Sequence, residues 1–390
     1  MNSIENYLND YEPPSPRVIK VDATYSFLVC GCWGTYCLDG YIKTDEVTET
    51  CAISTTYELY GEESVANGIK ELCLADPSIS SIILTGDNIY ANPLKRNRAI
   101  HDYQVSNTLA KYCGMTKQEK LDISYDIEEQ LGTGFGQCFG EVDKDFFVLV
   151  GNHDVKRDSC IDFFTQLQYG ENNPKWHFGL YYNMVIQSSD GAPLLNIMCI
   201  DTNVYSEGKI CGKSGESIIA YKEKQAVWLR DTTAAVDAKY NIVIGHVPAV
   251  ANGHKFKTQV VITSELKALL TEVNPQLYIC SDEHNQQFLY EDSSNTGFAV
   301  LGSGGTILDE NVFLNGLGEI GPDKSTATLS DIGVKTYYAL PRHGFARVDV
   351  EDNGIILSFY AVESARQVGD KAPLLMQKYS MKYGEMKRIK

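Results

Sequence analysis

Seven short apolar runs limit what this chain can fold into: Phe27 to Cys30, Ile82 to Leu84, Phe146 to Val150, Leu195 to Ile200, Ile242 to Ile244, Leu277 to Cys280 and Phe298 to Leu301. Each closes in a cluster of small or polar residues. Short unbroken runs of this kind, rich in β-branched and aromatic side chains, are the mark of buried strands. Between them lie helical spacings, with Val65, Ile69 and Leu72 four and three apart, and Ala226, Leu229 and Ala234 behind Trp228 in a Lys- and Asp-bearing stretch. Such spacing lays an apolar stripe along a helix. The order strand, helix, strand through the first two-thirds predicts an α/β chain with layered sheets.

Late in the chain the helices drop out. Phe345 to Val350 and Ile355 to Tyr360 flank the turn Glu351-Asp352-Asn353-Gly354, which predicts a hairpin closing a second sheet. No repeat or low-complexity stretch interrupts the pattern, so the simplest division is a polar N-terminal extension over 1–24, one domain over 25–365 and a C-terminal tail over 366–390. The stretches 35–61, 94–123 and 306–341 lack this periodicity and read as insertions, a length of loop that is usually functional or disordered.

Composition narrows the function. The chain is 43% hydrophobic and 22% charged, as in an ordinary globular protein, and holds no run of eighteen apolar residues. Met1 to Lys20 is polar and carries Pro13, Pro14 and Pro16, so neither a signal peptide nor a membrane span is expected, and the protein reads as intracellular. A net charge of −17 repels a nucleic-acid backbone and argues against such a partner. The basic clusters, Lys95 to Arg98 and the tail with Lys387, Arg388 and Lys390, read as a solvated loop and a frayed end. Eleven cysteines, an odd number scattered through apolar segments, are expected to be mostly reduced, as in a cytosolic setting. Cys30, Cys32, Cys37 and Cys51 are not expected to hold a structural zinc, since Cys30 and Cys32 lie at a strand end, where period 2 puts both on the same face, and Cys-x-Cys is not the usual Cys-x-x-Cys knuckle.

Function is easiest to read where the strands end, because ligands of open α/β sheets sit outside the carboxyl ends of strands. Those ends are Gly31-Cys32-Trp33-Gly34, Gly86-Asp87-Asn88-Ile89-Tyr90, Gly151-Asn152-His153-Asp154, Gly245-His246-Val247-Pro248 and Ser281-Asp282-Glu283-His284-Asn285. Of only seven histidines, His153, His246 and His284 fall at these ends, and His254 lies eight residues past His246. One histidine at a turn is usually structural; several in glycine-led turns beside Asp87, Asn152 and Asp282 point to metal chemistry.

This series resembles the calcineurin-like metallophosphoesterase signature, and within it the mammalian-type purple (tartrate-resistant) acid phosphatases. The resemblance runs in matching order from about Tyr25 to Ala365 and takes in Trp176-His177-Phe178, Asp201-Thr202, Phe298 to Gly305 and His343-Gly344-Phe345-Ala346. It implies a β-sandwich of two mixed sheets flanked by helices, in α/β/β/α layers, with a dinuclear centre of Fe, Zn or Mn. On that implication one metal takes Cys32, Asp87, Tyr90 and His284, while the other shares Asp87 and takes Asn152, His246 and Asp282. His153 and, one residue out of register, His254 match the substrate-side histidines that serve as proton donors. The chemistry agrees, since two cations sharing one carboxylate can activate water and neutralise phosphoryl oxygens.

Two positions depart from the family. Cys32 stands where an aspartate is expected and Asp282 where a histidine is expected, so each metal loses a family ligand. The site around Asn152, His246 and Asp282 is expected to fill before the one around Cys32 and Tyr90, since an added carboxylate attracts a divalent cation. Two functions compete: hydrolysis of a phosphate ester, in a small molecule or a phosphoprotein, with altered or reduced activity, and a catalytically degenerate scaffold that binds a protein partner through the insertions.

Overall fold

The computed structural model describes residues 4–34, 42–44, 51–53, 61–89, 131, 135–156, 160–252, 261–306, 308, 332–363, 372–382 and 385–389. Among them are two eight-stranded sheets. In chain order the strands are β1 Arg17–Val21, β2 Tyr25–Cys30, β3 Ile79–Leu84, β4 Asp145–Val148, β5 Trp176–Phe178, β6 Tyr182–Ser188, β7 Pro193–Cys199 and β8 Tyr240–Ile244. There follow β9 Leu277–Cys280, β10 Gln286–Glu291, β11 Thr296–Leu301, β12 Val334–Leu340, β13 Gly344–Glu351, β14 Gly354–Ala361, β15 Leu374–Lys382 and β16 Glu385–Ile389. Among the described residues, the helices of more than one turn are α1 Ile4–Asp10, α2 Gly61–Ala75, α3 Ile161–Asn172, α4 Glu216–Ala235 and α5 Ser264–Val273.

The first sheet runs β1-β6-β7-β8-β9-β11-β10-β12 and the second β16-β15-β14-β13-β2-β3-β4-β5. Both are mixed. Parallel pairing joins β7 to β8, β8 to β9 and β9 to β11 in one sheet, and β2 to β3, β3 to β4 and β4 to β5 in the other. The predicted hairpin is present as β13 and β14, paired from Gly344↔Ala361 to Glu351↔Gly354.

Period 2 explains the layering. Phe27, Val29, Ile83, Ile242, Ile244, Leu277 and Ile279 enter the core between the sheets. Their neighbours Leu28, Cys30, Ile82 and Leu84 face out toward α2, packing with its Val65 and Ile69. Val243, Tyr278 and Cys280 face out on the other side, against Tyr221 and Leu229 of α4 and Leu266 and Leu270 of α5. A strand with apolar partners on both faces has no polar alternation to show, hence the unbroken runs in the sequence. The order of layers is helix, sheet, sheet, helix, as the resemblance implied.

Both segments expected as polar tails supply strands. β1 pairs in parallel with β6 from Arg17↔Met184 to Val21↔Ser188, and β15 and β16 extend the second sheet beyond β14. Lys387 and Arg388 belong to β16 and not to a frayed end. β1 and β16 are edge strands, where exposed charge is tolerated and blocks further pairing, so their polar look concealed a sheet position. Ahead of β1, α1 packs its Ile4 and Leu8 into the cluster that also holds Phe163 of α3 and Leu229 of α4.

Most of the described cysteines are reduced, as expected, but one bridge is present that the sequence did not announce. Cys160 and Cys211 form a disulfide with Cα atoms 5.1 Å apart, joining segments 51 residues apart in sequence, whereas Cys30, Cys73, Cys199 and Cys280 are thiols outside any bridge. Both bridged residues take left-handed backbone in loops, φ 54° and 50°, and sequence spacing gives no sign of such a meeting. The insertion 94–123 and most of 35–61 and 306–341 lie outside the described residues.

Candidate metal centre

The carboxyl ends of β2, β3, β8 and β9 converge at one place. Just past them, Cys32, Asp87 and His246 are each 0% exposed, and their donor atoms all lie within 4.8 Å of one another. The backbone there is special. Cys32 and Asp87 have φ 56° and Asp282 has φ 64°, a left-handed conformation that costs a non-glycine residue about 1–2 kcal/mol. Three such residues at adjoining strand ends make the turns sharp enough to aim the side chains inward, which is where backbone strain tends to gather around a function.

This turn also answers the question of Cys30 and Cys32. Cys30 faces the outer layer with Trp33 and Ile69, while the left-handed turn at Cys32 carries its side chain away toward Asp87 and His246, so the two do not share a face. Gly151 makes the approach possible, since a Cβ there would stand 2.1 Å from the Asp87 backbone N and 2.4 Å from Asp87 Oδ1.

His246 is held by its far nitrogen. Nδ1 lies 2.8 Å from the Thr85 carbonyl oxygen and 2.9 Å from Ser281 Oγ, so the Nδ1 proton goes to the carbonyl and Nε2 faces the cluster. Three oxygens gather round Nε2: Asn152 Oδ1 at 3.2 Å, Asp87 Oδ1 at 3.3 Å and Asp282 Oδ1 at 3.7 Å. The loop of His246 is pinned as well, its backbone N–H and that of Val247 both donating to Thr202 Oγ1 at 2.9 and 2.7 Å.

The charges are out of balance in favour of a cation. Burial alone would lower the His246 pKa, but the negative charges of Asp87 and Asp282 outweigh it and push it up to about 9. Asp154, fully buried, is pushed up to about 7 by burial and then by the charge of Asp87, and burial raises Asp201 to about 6. A spot that draws a proton onto a buried imidazole is one where positive charge is favoured. A thiol, an imidazole, carboxylates and an amide oxygen around it are a donor set that fits a metal ion of intermediate softness.

The other expected ligands and proton donors are placed as follows. His284 follows Asp282 on the same turn, half-buried, and is not among the three whose donors meet within 4.8 Å. His153 is half-buried, and its backbone N–H donates to Asp87 Oδ1 at 2.9 Å, fixing that carboxylate. Tyr90 and His254 lie outside the described residues.

Sequence reasoning missed the residues that support these. Asp154 accepts from the backbone N–H of Gly151 at 2.7 Å and of Ile89 at 3.0 Å and from Gln166 Nε2 at 3.0 Å. It thereby ties the turn bearing Asp87 to the turn bearing Asn152. Thr85, Ser281 and Thr202 do the same for His246. Asp154 and Ser281 sit inside the strand-end motifs, so the signal for them was position next to a candidate ligand.

Comparison with known proteins agrees with this geometry. Residues 25–286 match the family model described as Calcineurin-like phosphoesterase. Tartrate-resistant acid phosphatase type 5 of Sus scrofa is 26% identical over 167 residues, 40% of this chain and 46% of that protein, and the Homo sapiens protein is 25% identical over 169 residues, 41% and 49%. The match thus spans about half the length of these curated relatives. Two solved structures share the fold. One, "GAP50 the anchor in the inner membrane complex of Plasmodium", has a TM-score of 0.56 and 16% identity over 91% of this chain and 90% of that one. The other, purple acid phosphatase PPD1 from yellow lupin (Lupinus luteus), has a TM-score of 0.52 and 12% identity over 94% and 55%. With the family model matched across both sheets and through the strand ends that carry the candidate ligands, this chain belongs to the calcineurin-like phosphoesterase family.

Proposed function

We propose that this protein is a metal-dependent phosphomonoesterase of low turnover. The observation that carries this reading is the convergence of Asp87, Asn152 and Asp282 oxygens on Nε2 of His246, with Cys32 alongside. The cation, Fe, Zn or Mn, supplies positive charge for the phosphoryl oxygens of the substrate and for the attacking water. The chain's own residues hold and orient it. Asp87 is fixed by the His153 N–H, His246 is fixed through Nδ1, and Asp282 and Cys32 replace the family's histidine and aspartate. His153, half-buried at the same rim, serves as proton donor to the leaving oxygen, with His254 as the second histidine of that role. The substrate is a phosphate monoester of a small molecule or a phosphoprotein. A net charge of −17 disfavours nucleic acid.

Low turnover follows from the donor set. A thiolate and an added carboxylate both give electron density to the cation and weaken its activation of water. The test is metal analysis of protein purified without added metal, paired with aryl-phosphate hydrolysis by the parent and by the Cys32→Asp/Asp282→His double variant. The double variant should be at least tenfold faster, which needs only about 1.4 kcal/mol of transition-state stabilisation. Each single variant should recover less, because such a site acts as a unit.

A second reading, an interaction scaffold, draws on one observation: the likeness to the Plasmodium anchor covers about nine-tenths of both chains. On this reading the insertions 35–61, 94–123 and 306–341 engage a protein partner. A double variant that binds metal and still hydrolyses nothing favours the scaffold and ends the enzymatic reading.

A further inference from the structure

We infer that the rim holds one thiophilic cation, bound by Cys32, Asp87, Asn152 and His246, in place of the oxygen-rich pair of metals that the family resemblance implies. The inference rests on the metal-binding part of the proposed function and is independent of hydrolysis.

Three observations lead to it. Cys32 and His246 belong to different metals in the family scheme, yet here their donor atoms fall within one 4.8 Å group that also includes Asp87. A tetrahedron with bonds of about 2.0–2.1 Å to N and O has edges of about 3.3–3.4 Å. His246 Nε2 stands 3.3 Å from Asp87 Oδ1 and 3.2 Å from Asn152 Oδ1, two separations that match the edges of such a figure, and Sγ of Cys32 lies within 4.8 Å of both Nε2 and the Asp87 carboxylate as the candidate fourth donor. His284, a ligand of the first metal in the family scheme, is not in the group.

The donor types then select the ion. One sulfur, one nitrogen and two oxygens, three of the four donors on fully buried side chains, suit Zn2+ and Co2+ in a four-coordinate site, whereas Mn2+ and Mg2+ favour six oxygen-type donors. The soft donor is one of the two departures from the family pattern. An aspartate at position 32 would give the hard set; the cysteine makes the site selective. Asp282 Oδ1, 3.7 Å from Nε2 and partly exposed, adds its negative charge to the same cation from the mouth.

Titration of the metal-free full-length chain under nitrogen, without added thiol, tests this. Native mass spectrometry should count one Zn2+ per chain, and Zn2+ should bind at least about 100-fold more tightly than Mn2+. The Co2+ form should show a thiolate-to-cobalt charge-transfer band in the near ultraviolet, which Cys32→Ser removes. Cys32→Asp, which keeps a donor if the serine variant folds poorly, should narrow the preference for Zn2+ over Mn2+ by at least tenfold and also lose the band. Two cations per chain, equal affinity for Zn2+ and Mn2+, a Co2+ spectrum without a thiolate band, or no binding at all each overturn the inference. One tightly held Zn2+ with no aryl-phosphate hydrolysis leaves it standing and removes the enzymatic reading instead.

Discussion

The core between the sheets and the rim at the strand ends are made of the same strands and obey opposite rules. In the core, Phe27, Val29, Ile83, Ile242, Ile244 and Leu277 are fully buried and apolar in regular backbone, and each residue needs only the right volume. A few residues further along, Cys32, Asp87 and His246 are as completely buried, but two of them take left-handed backbone, all carry titratable groups, and each depends on specific hydrogen bonds from neighbouring turns. Burial by itself therefore says little about how a position tolerates change. What matters is whether a side chain is held by contact area or by geometry.

That contrast is broken most severely at Gly151. Alanine there would put a Cβ against the backbone and carboxylate of Asp87, so Gly151→Ala should cost at least about 4–5 kcal/mol, the range reserved for local collapse. Denaturant melts should show it, and metal binding should be lost together with stability. Next in size is the bridge between Cys160 and Cys211, which ties the loop following Asn152 and His153 to a distant segment. Replacing both with serine should lower stability by about 4 kcal/mol on the chain-entropy account of a loop of this length. A thiol count on denatured protein with and without reductant checks that the parent is bridged.

His343 sharpens the comparison from the side of pH. Burial holds its pKa down to about 4, and its Nε2 has no hydrogen-bond partner among the described residues. A histidine with a depressed folded pKa contributes its full stability above the unfolded value near 6.5 and loses it as pH falls toward 4, a difference of roughly 3 kcal/mol. His343→Met should flatten that acid limb in melts run from pH 7 to pH 4, and a variant with the parent's pH slope would show that other groups set it. The smallest effect belongs to the core. Ile244→Val should cost about 1 kcal/mol and leave metal affinity unchanged; a loss of affinity at this position would mean that core and rim are mechanically coupled.

Most of the core was legible in the sequence because apolar runs report a repeating backbone. The seven runs and the late hairpin correspond to β2, β3, β4, β7, β8, β9, β11, β13 and β14, with ends shifted by a few residues. Edge strands β1 and β16 were read as tails because charged residues interrupt them, and α3 escaped because Phe163, Phe164 and Tyr169 give it a strand-like composition. At the rim, the residue types were legible and their geometry was not. Nothing in the letters Cys, Asp and Asp announces left-handed backbone at positions 32, 87 and 282, and the bond from Thr85 to His246 joins residues 161 apart. Periodicity speaks for repeating structure, and a site is built where repetition stops.

The pairing of β2 with β13 carries one more consequence, for the chain's synthesis. Tyr25 to Val29 form one flank of their ladder with Ala346 to Val350, so that flank stays open until residues 346–350 have left the ribosome. At about 5–20 residues per second the wait is roughly 20–60 s. During it, Phe27 and Val29 are exposed on an unpaired strand, the kind of surface on which nascent chains aggregate. The protein is accordingly expected to lean on chaperones while it is being made, and slower translation of the stretch between these strands should lower its soluble yield more than the same slowing after residue 350.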